Sequence, residues 1–283
     1  MKTQITEFER SKDWLVCIDS DGCAMDTMEV KHRKCFGPMA VKVWALEDVA
    51  DRFLTVWNNV NLYSSTRGIN RFKGLVRTFE EMEALGYQMP DFEEIKKWTE
   101  ETSELSNPSL VSAIENTGSH QLDLTLTWSL MVNESIESLA GEDRPFPNVL
   151  EGLASIYPRA DIAIISSANG KAVVEEWTRH GLSPYVELMC GQEAGSKAYC
   201  IGAVKTLGDY HSENVLMIGD SPGDLAAAKD NGVLFYPIIA GDEASSWETL
   251  AKSAIGKFID GTFSGDYQDS LIERFNKSLS TDS

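Results

Sequence analysis

Asp19 and Asp21 stand two residues apart, directly after the apolar run Trp14-Leu-Val-Cys-Ile18 and directly before Gly22. Two carboxylates that close repel each other, so the arrangement calls for a cation or a shared proton. A calcium loop of the EF-hand kind is excluded, because its sixth place needs Gly and holds Ala24, and its twelfth needs Glu and holds Val30. Asp-x-Asp-Gly also occurs in ordinary turns. What sets it apart is the company it keeps along the chain. Ser166 follows the apolar run Ile162–Ile165, Lys197 stands at a helix start after a further apolar strand, and Gly219-Asp220-Ser-Pro-Gly-Asp224 follows Val215–Ile218. A carboxylate pair, a hydroxyl, a lysine and a second carboxylate pair match what phosphoryl transfer needs. One carboxylate can attack phosphorus and carry an aspartyl phosphate. Asp19 and Asp220 offer hard oxygen ligands for Mg²⁺, while Ser166 and Lys197 can neutralise phosphate oxygens.

These residues can meet only if the elements behind them share one sheet. The apolar run before Asp19 reads as a buried strand and Gly22 as the turn that leaves it. From Thr27 to Gly141 the periodicity is helical. Val41, Trp44, Ala45 and Val49 share a face that Phe53, Val56, Trp57 and Val60 continue. Asn61 to Arg71 reads as a polar loop and Glu80 to Leu85 as helix. Asp91 is read as the cap of a helix over Phe92–Glu101, Asn107-Pro108 opens another helix, and Leu122–Leu139 is a long one. Arg144-Pro-Phe-Pro147 reads as a linker. Beyond it helices and strands alternate, with strands at 161–165, 185–189, 215–218 and 233–236. Alternation with wholly apolar strands implies a parallel sheet covered on both faces. Right-handed crossovers then bring the C-terminal strand ends to one edge, where ligands bind in open α/β sheets. The fold class expected is therefore α/β. A core of residues 1–26 and 142–283 is interrupted by an all-helical insertion, 27–141, launched from the loop after Asp21 in the position of a lid.

The 283 residues are 42% hydrophobic, enough to bury a core, and carry a net charge of −19. That charge argues against nucleic acid or an anionic membrane as a partner. It also means that an anionic substrate must meet a metal or a local positive site. No apolar signal core opens the chain and no run reaches membrane-spanning length, so a cytoplasmic protein is expected. Cysteines 17, 23, 35, 190 and 200 are odd in number and form no Cys-x-x-Cys pair, which reads as reduced thiols.

The four motifs, in this order, resemble those of the haloacid dehalogenase superfamily: an apolar strand into Asp-x-Asp-Gly, an apolar strand into Ser or Thr, a Lys, then Gly-Asp-x-x-x-Asp. The resemblance implies a Rossmann-like core with a helical cap between the first and second motifs. It implies Asp19 as nucleophile and Asp21 as general acid/base, with Ser166 and Lys197 on the phosphate. Asp220 would bind Mg²⁺ beside Asp19, with Asp21 as the third acid of the metal group, and Asp224 would pair with Lys197 or support the metal shell. Two positions depart from the commonest pattern. Cys23 stands where Thr is usual, and Ser166-Ser167 stands where Thr-Asn is frequent, which makes Ser167 an alternative to Ser166.

The function expected is a Mg²⁺-dependent phosphatase of a small phosphorylated metabolite, with a sugar-phosphate phosphomutase as the alternative. Asp21 speaks against a dehalogenase, which needs no acid there, and nothing marks Lys31, Lys34 or Lys42 as the Schiff-base lysine of a phosphonatase. A scaffolding protein on an inactive fold is opposed by the intact charged motifs. His32, His120, His180 and His211 match no metal spacing, and Trp44, Trp57 and Trp128 read as core. Arg67 and Arg71, flanking Gly68, are candidates for contact with the substrate from the cap. Neither the substrate's identity nor the oligomeric state is legible.

Overall fold

The structure is a computed structural model that describes residues 2–139 and 141–280. The chain divides into two compact units, Met1–Thr27 with Asp143–Ser283, and Met28–Glu142.

The first unit is built on five parallel strands, β1 (Trp14–Ile18), β2 (Ala160–Ile165), β3 (Leu188–Cys190), β4 (Val215–Gly219) and β5 (Leu234–Pro237), in the order β3-β2-β1-β4-β5. Their near-continuous apolar character has a direct cause, since alternate residues point into two different cores. Val16, Ile18, Ile162, Ile164, Leu216 and Ile218 pack with Val149, Trp177, Trp247 and Phe258. Leu15, Cys17, Ala163, Ile165, Val215 and Met217 pack on the other face with Ile201, Val204, Ala227 and Phe275. The register sets the functional edge. Ile18 lies level with Ile164 and with Ile218. Asp19 is the next residue of β1's path, and Ser166 and Asp220 each lie one residue further on the two flanking strands.

The edge strand β3 is shorter than its apolar run suggests. Residues 185–189 read as strand, but Ser183–Tyr185 is a tight 3₁₀ turn around Pro184, and the ladder begins at Leu188. Lys2 pairs with that strand from outside, donating to Glu187 O and accepting from Met189 N. The N-terminal arm is pinned further by Asp161, which is fully buried. Its carboxylate accepts from the Ser11 and Lys12 amides at 2.8 and 2.9 Å, from the Ser11 hydroxyl and from the Tyr210 hydroxyl at 2.6 Å, and pairs with Lys12 Nζ. Burial acts to raise its pKa, but these donors outweigh it and hold the carboxyl below its ordinary value.

The second unit is helical. Its principal helices are Ala50–Asn58, Arg71–Ala84, Glu93–Glu101, Asn107–Thr117 and His120–Glu137, gathered around Trp57, Trp128, Phe53, Phe72 and Phe79. Trp57 and Trp128 meet edge to face at 5.9 Å, the geometry that aromatic quadrupoles favour. Caps stop the helices where polar residues occur. Ser106 and Ser119 accept from Ser109 N and Leu122 N, and Gly118 takes the left-handed conformation at the end of Asn107–Thr117. Asp91 accepts from Glu93 N, although the helix starts at Glu93 rather than at Phe92. The helix expected over Glu80–Leu85 extends back to Arg71. The polar loop expected over Asn61–Arg71 is accordingly confined to 64–70, because Asn59–Tyr63 forms a π-helical turn that buries Asn61 and Leu62. The five cysteines are free thiols, all buried, as a chain of reduced cysteines requires.

Candidate active site

The site begins at the break in β1. Asp19 N still donates to Ile218 O as strand backbone, but the chain then folds back on itself. The Ser20 carbonyl accepts three amides, from Cys23, Ala24 and Met25, and Gly22 supplies the positive φ of 78° that this tight turn requires. The Asp19 carboxylate is left at the edge, 5% exposed, with both oxygens engaged. Oδ1 accepts from the Ser20 amide at 2.8 Å, and Oδ2 is 2.8 Å from Lys197 Nζ. Lys197 opens the helix Lys197–Leu207, positioned by the Ser196 cap, and it bridges to Asp224 Oδ1 at 2.6 Å.

Asp224 is fully buried and double-bound. Besides Lys197, it accepts from the Ser221 amide and hydroxyl at 3.0 and 2.7 Å in a reciprocal capping box at the start of Pro222–Asp230. Gly219 makes this possible, since a Cβ there would lie 2.4 Å from Asp224 Cβ. Asp220, 1% exposed, completes the group. Asp19, Asp220 and Asp224 each offer an oxygen, and the three atoms lie within 4.8 Å of one another. Ser166, at the end of β2, is 4% exposed; its amide donates to Cys190 O and its Oγ accepts from Ala168 N. That leaves the hydroxyl proton to turn toward the strand edge.

Asp21 is differently placed from its sequence neighbour. The acids that the sequence groups around a metal are Asp19, Asp21 and Asp220. Among the described residues the converging carboxylates are Asp19, Asp220 and Asp224. The Asp21 carboxylate instead accepts from Thr27 Oγ1 at 2.6 Å. The physical reason is the hydrogen bonding of the turn, in which the Thr27 hydroxyl engages Asp21 while Lys197 engages Asp19.

The electrostatics follow from burial. Desolvation pushes the Asp19 carboxyl well above the usual range; the Lys197 ammonium opposes this, while Asp224 and Asp220 reinforce it. Burial also works against the charge on Lys197, but Asp19 and Asp224 outweigh it and hold the ammonium protonated above its ordinary value. Among the described residues, two carboxylates thus hold Lys197, and a third, Asp220, lies beside them. The donor set is all hard oxygen, closely spaced and short of positive charge, which is the environment a Mg²⁺ ion fits. Cys23, the residue in the usual Thr place, is buried and donates weakly from Sγ to Ile218 O at 3.6 Å.

The cap candidates sit inside the helical unit. Arg67 is 3% exposed and donates from Nη1 to Leu62 O at 2.6 Å. Arg71 donates to Ser129 Oγ and Asn133 Oδ1 and lies 5.0 Å over the Phe36 ring, and burial pushes it down to about 10. Both candidate substrate-contact arginines are thus seated against groups of the helical unit itself. His32 stacks on Phe36, and Trp44, Trp57 and Trp128 are core. Three groups around the turn after Asp19 carried no sequence signal: Thr27, and the indoles of Trp177 and Trp247, whose N–H groups reach Ser20 Oγ and Cys23 O. A partner of that kind is defined only by the folded packing.

No helix of the described residues is long and apolar enough to cross a membrane. No curated protein matches the chain. Among solved structures, an inferred phosphoglycolate phosphatase from Lactobacillus delbrueckii subsp. bulgaricus is similar at 13% identity, with 80% of this chain and 85% of that one covered and a TM-score of 0.51, and shares the fold. An inferred beta-phosphoglucomutase from Thermotoga maritima is 19% identical over 84% of this chain and 96% of its own, with a TM-score of 0.47. A haloacid dehalogenase-like hydrolase from Streptococcus pneumoniae is 13% identical, covering 83% and 90%, with a TM-score of 0.44. The family model for haloacid dehalogenase-like hydrolases matches residues 82–238, a span that takes in Ser166, Lys197, Asp220 and Asp224. With the matched span covering more than half of the chain, and the parallel sheet bringing Asp19 from outside that span to the same edge, the protein belongs to the haloacid dehalogenase-like hydrolase family.

Proposed function

We propose that the protein is a phosphoric monoester hydrolase that acts on a small phosphorylated molecule through an aspartyl phosphate on Asp19. The observation that carries this reading is Lys197 bridging Asp19 and Asp224, with Asp220 beside them, at the C-terminal edge of β1 and β4. Asp19 attacks phosphorus in line with the leaving oxygen, so the new bond forms between a carboxylate oxygen and phosphorus while the ester P–O bond breaks. Lys197 and the Ser166 hydroxyl donate to the non-bridging oxygens. Asp21, held away from the acidic group by Thr27, gives a proton to the departing alkoxide and then takes one from the water that hydrolyses the acyl phosphate. Asp224 keeps Lys197 aimed at Asp19. Asp19 and Asp220 would hold Mg²⁺, which when bound supplies positive charge to offset the carboxylates and the phosphate. The helical unit, which leaves the core at Thr27 and rejoins it at Asp143, is read as the substrate-selecting cap.

The test is hydrolysis of p-nitrophenyl phosphate and of a panel of sugar phosphates, nucleotides and phosphoglycolate. Phosphate release that EDTA abolishes and Mg²⁺ restores, with Ca²⁺ inhibitory because it relaxes the octahedral geometry, supports the reading. Isomer formation without phosphate release would make the protein a phosphomutase, and full activity after exhaustive chelation would overturn the metal assignment.

A further inference from the structure

The turn that carries Asp19 is gripped by two indoles from two different helices. Trp177, on the helix Gly170–Arg179, donates from Nε1 to Ser20 Oγ at 2.9 Å. Trp247, on Glu243–Thr249, donates from Nε1 to Cys23 O at 2.9 Å. Both side chains are fully buried, and Ser20 and Cys23 are fully buried with them. Between the two held residues lie Asp21 and Gly22. We propose that Trp177 and Trp247 are positioning residues that fix the orientation of the Asp19 carboxylate through this turn, an inference that rests on the phosphatase reading above.

The chain of contacts is short. The Ser20 amide donates to Asp19 Oδ1, so any rotation of Ser20 turns the carboxylate against Lys197 on its other oxygen. The turn's own amides are already engaged, those of Cys23, Ala24 and Met25 on Ser20 O and that of Gly22 on Met25 O, and none is given to Ser20 Oγ or Cys23 O. The indoles supply those two bonds in an interior without competing water, where leaving them unmade is costly. Trp247 is closely packed on the side of Gly152, where an added Cβ would lie 2.4 Å from its ring. Trp177 belongs to the helix that follows the Ser166 turn, so one rigid element links the phosphate-binding hydroxyl to the nucleophile.

Phenylalanine keeps the apolar ring and removes the donor. In Trp177→Phe and Trp247→Phe proteins that retain the wild-type circular dichroism spectrum, kcat on p-nitrophenyl phosphate with Mg²⁺ should fall about tenfold or more while KM stays within about twofold, since misorientation of a bound pair acts on the chemical step. Ser20→Ala should match Trp177→Phe, and the double variant Ser20→Ala with Trp177→Phe should lose no more than either alone, because all three remove one hydrogen bond. Indole N–H exchange followed by NMR gives a reading independent of turnover. Both indole protons should exchange slowly in the wild type, and Ser20→Ala should accelerate exchange at Trp177 while sparing Trp247. Wild-type kcat in a folded Trp177→Phe protein, or additive losses in the double variant, overturns the proposal. An inactive wild-type protein overturns the phosphatase reading and any kinetic role for the indoles; the exchange rates then still decide whether the two hydrogen bonds hold the turn, with fast exchange at both ruling them out.

Discussion

Buried charge is handled in opposite ways by the two units. In the α/β unit, Asp19, Asp220 and Asp224 are sunk at a strand edge against a single lysine, and the carboxylates outnumber the ammonium. In the helical unit, Arg71 is seated among a serine hydroxyl, an asparagine carbonyl and an aromatic face. The first arrangement costs desolvation and leaves an excess of carboxylate that a cation or a shared proton offsets. The second satisfies a lone cation with dipoles and a π-face, and asks for nothing further. Unbalanced buried charge is the mark of a site, and balanced or dipole-solvated charge is the mark of architecture.

Substitutions sharpen this contrast in descending order of effect. Asp19→Asn removes the nucleophile but keeps the shape, so turnover of p-nitrophenyl phosphate should drop on the order of 10⁴-fold or more with the fold intact. Measurable wild-type turnover in that variant would falsify the aspartyl-phosphate mechanism. Asp21→Asn should cost roughly 10²–10⁴-fold, the usual worth of a general acid/base. Its losses should shrink for esters with good leaving groups, and a loss independent of the leaving group would assign Asp21 to structure.

Stability should separate the regions next. Asp161 is a buried charge of the architectural kind within the α/β unit, fully satisfied by five donors. Asp161→Asn should destabilise that unit by about 2–3 kcal/mol at neutral pH, as loss of a charge-assisted network does. Because the folded carboxyl is held below its ordinary value, its contribution is present above the ordinary carboxylate range and disappears as pH falls through the folded value. Denaturant midpoints of the variant and the wild type should therefore converge in acid; a gap that is constant with pH would show that the charge is not what stabilises. Smallest of all, Arg71→Met should cost about 1 kcal/mol of helical-unit stability, from lost hydrogen bonds and the contact with Phe36. Its kcat/KM should change by the same factor for an aryl phosphate and for a larger natural substrate. A loss confined to the larger substrate would return Arg71 to the list of substrate contacts.

The α/β unit was the more legible because its signals are local. Trp14–Ile18, Ile162–Ile165 and Val215–Ile218 are apolar on both faces, and each meets a polar residue within two places, so strand and site are written in the same few letters. What escaped was anything set by three-dimensional direction. Asp19 and Asp21 are adjacent in the motif yet point to different partners, Lys197 and Thr27, because the Ser20 turn intervenes. Pro184 moved the start of β3, and Trp177 and Trp247 look in sequence like any other core aromatic. In the helical unit, periodicity revealed the helices, but nothing in the polar stretch that holds Arg67 and Arg71 marked Leu62 O and Asn133 as their partners.

The strand order has a consequence for biosynthesis. β1 is the centre of the sheet and the first strand to be made, but its neighbour β2 begins on the order of 140 residues later. At about 5–20 residues per second, a ribosome leaves an apolar strand without either partner for roughly ten seconds or more. The helical unit, contiguous from Met28 to Glu142, can fold within that interval. Its folding draws the chain on either side of it together, so that β1 and β2 meet across a short effective loop instead of a long flexible one. Translation speed through residues 28–142 therefore governs how long the strand that ends at Asp19 stands open to aggregation.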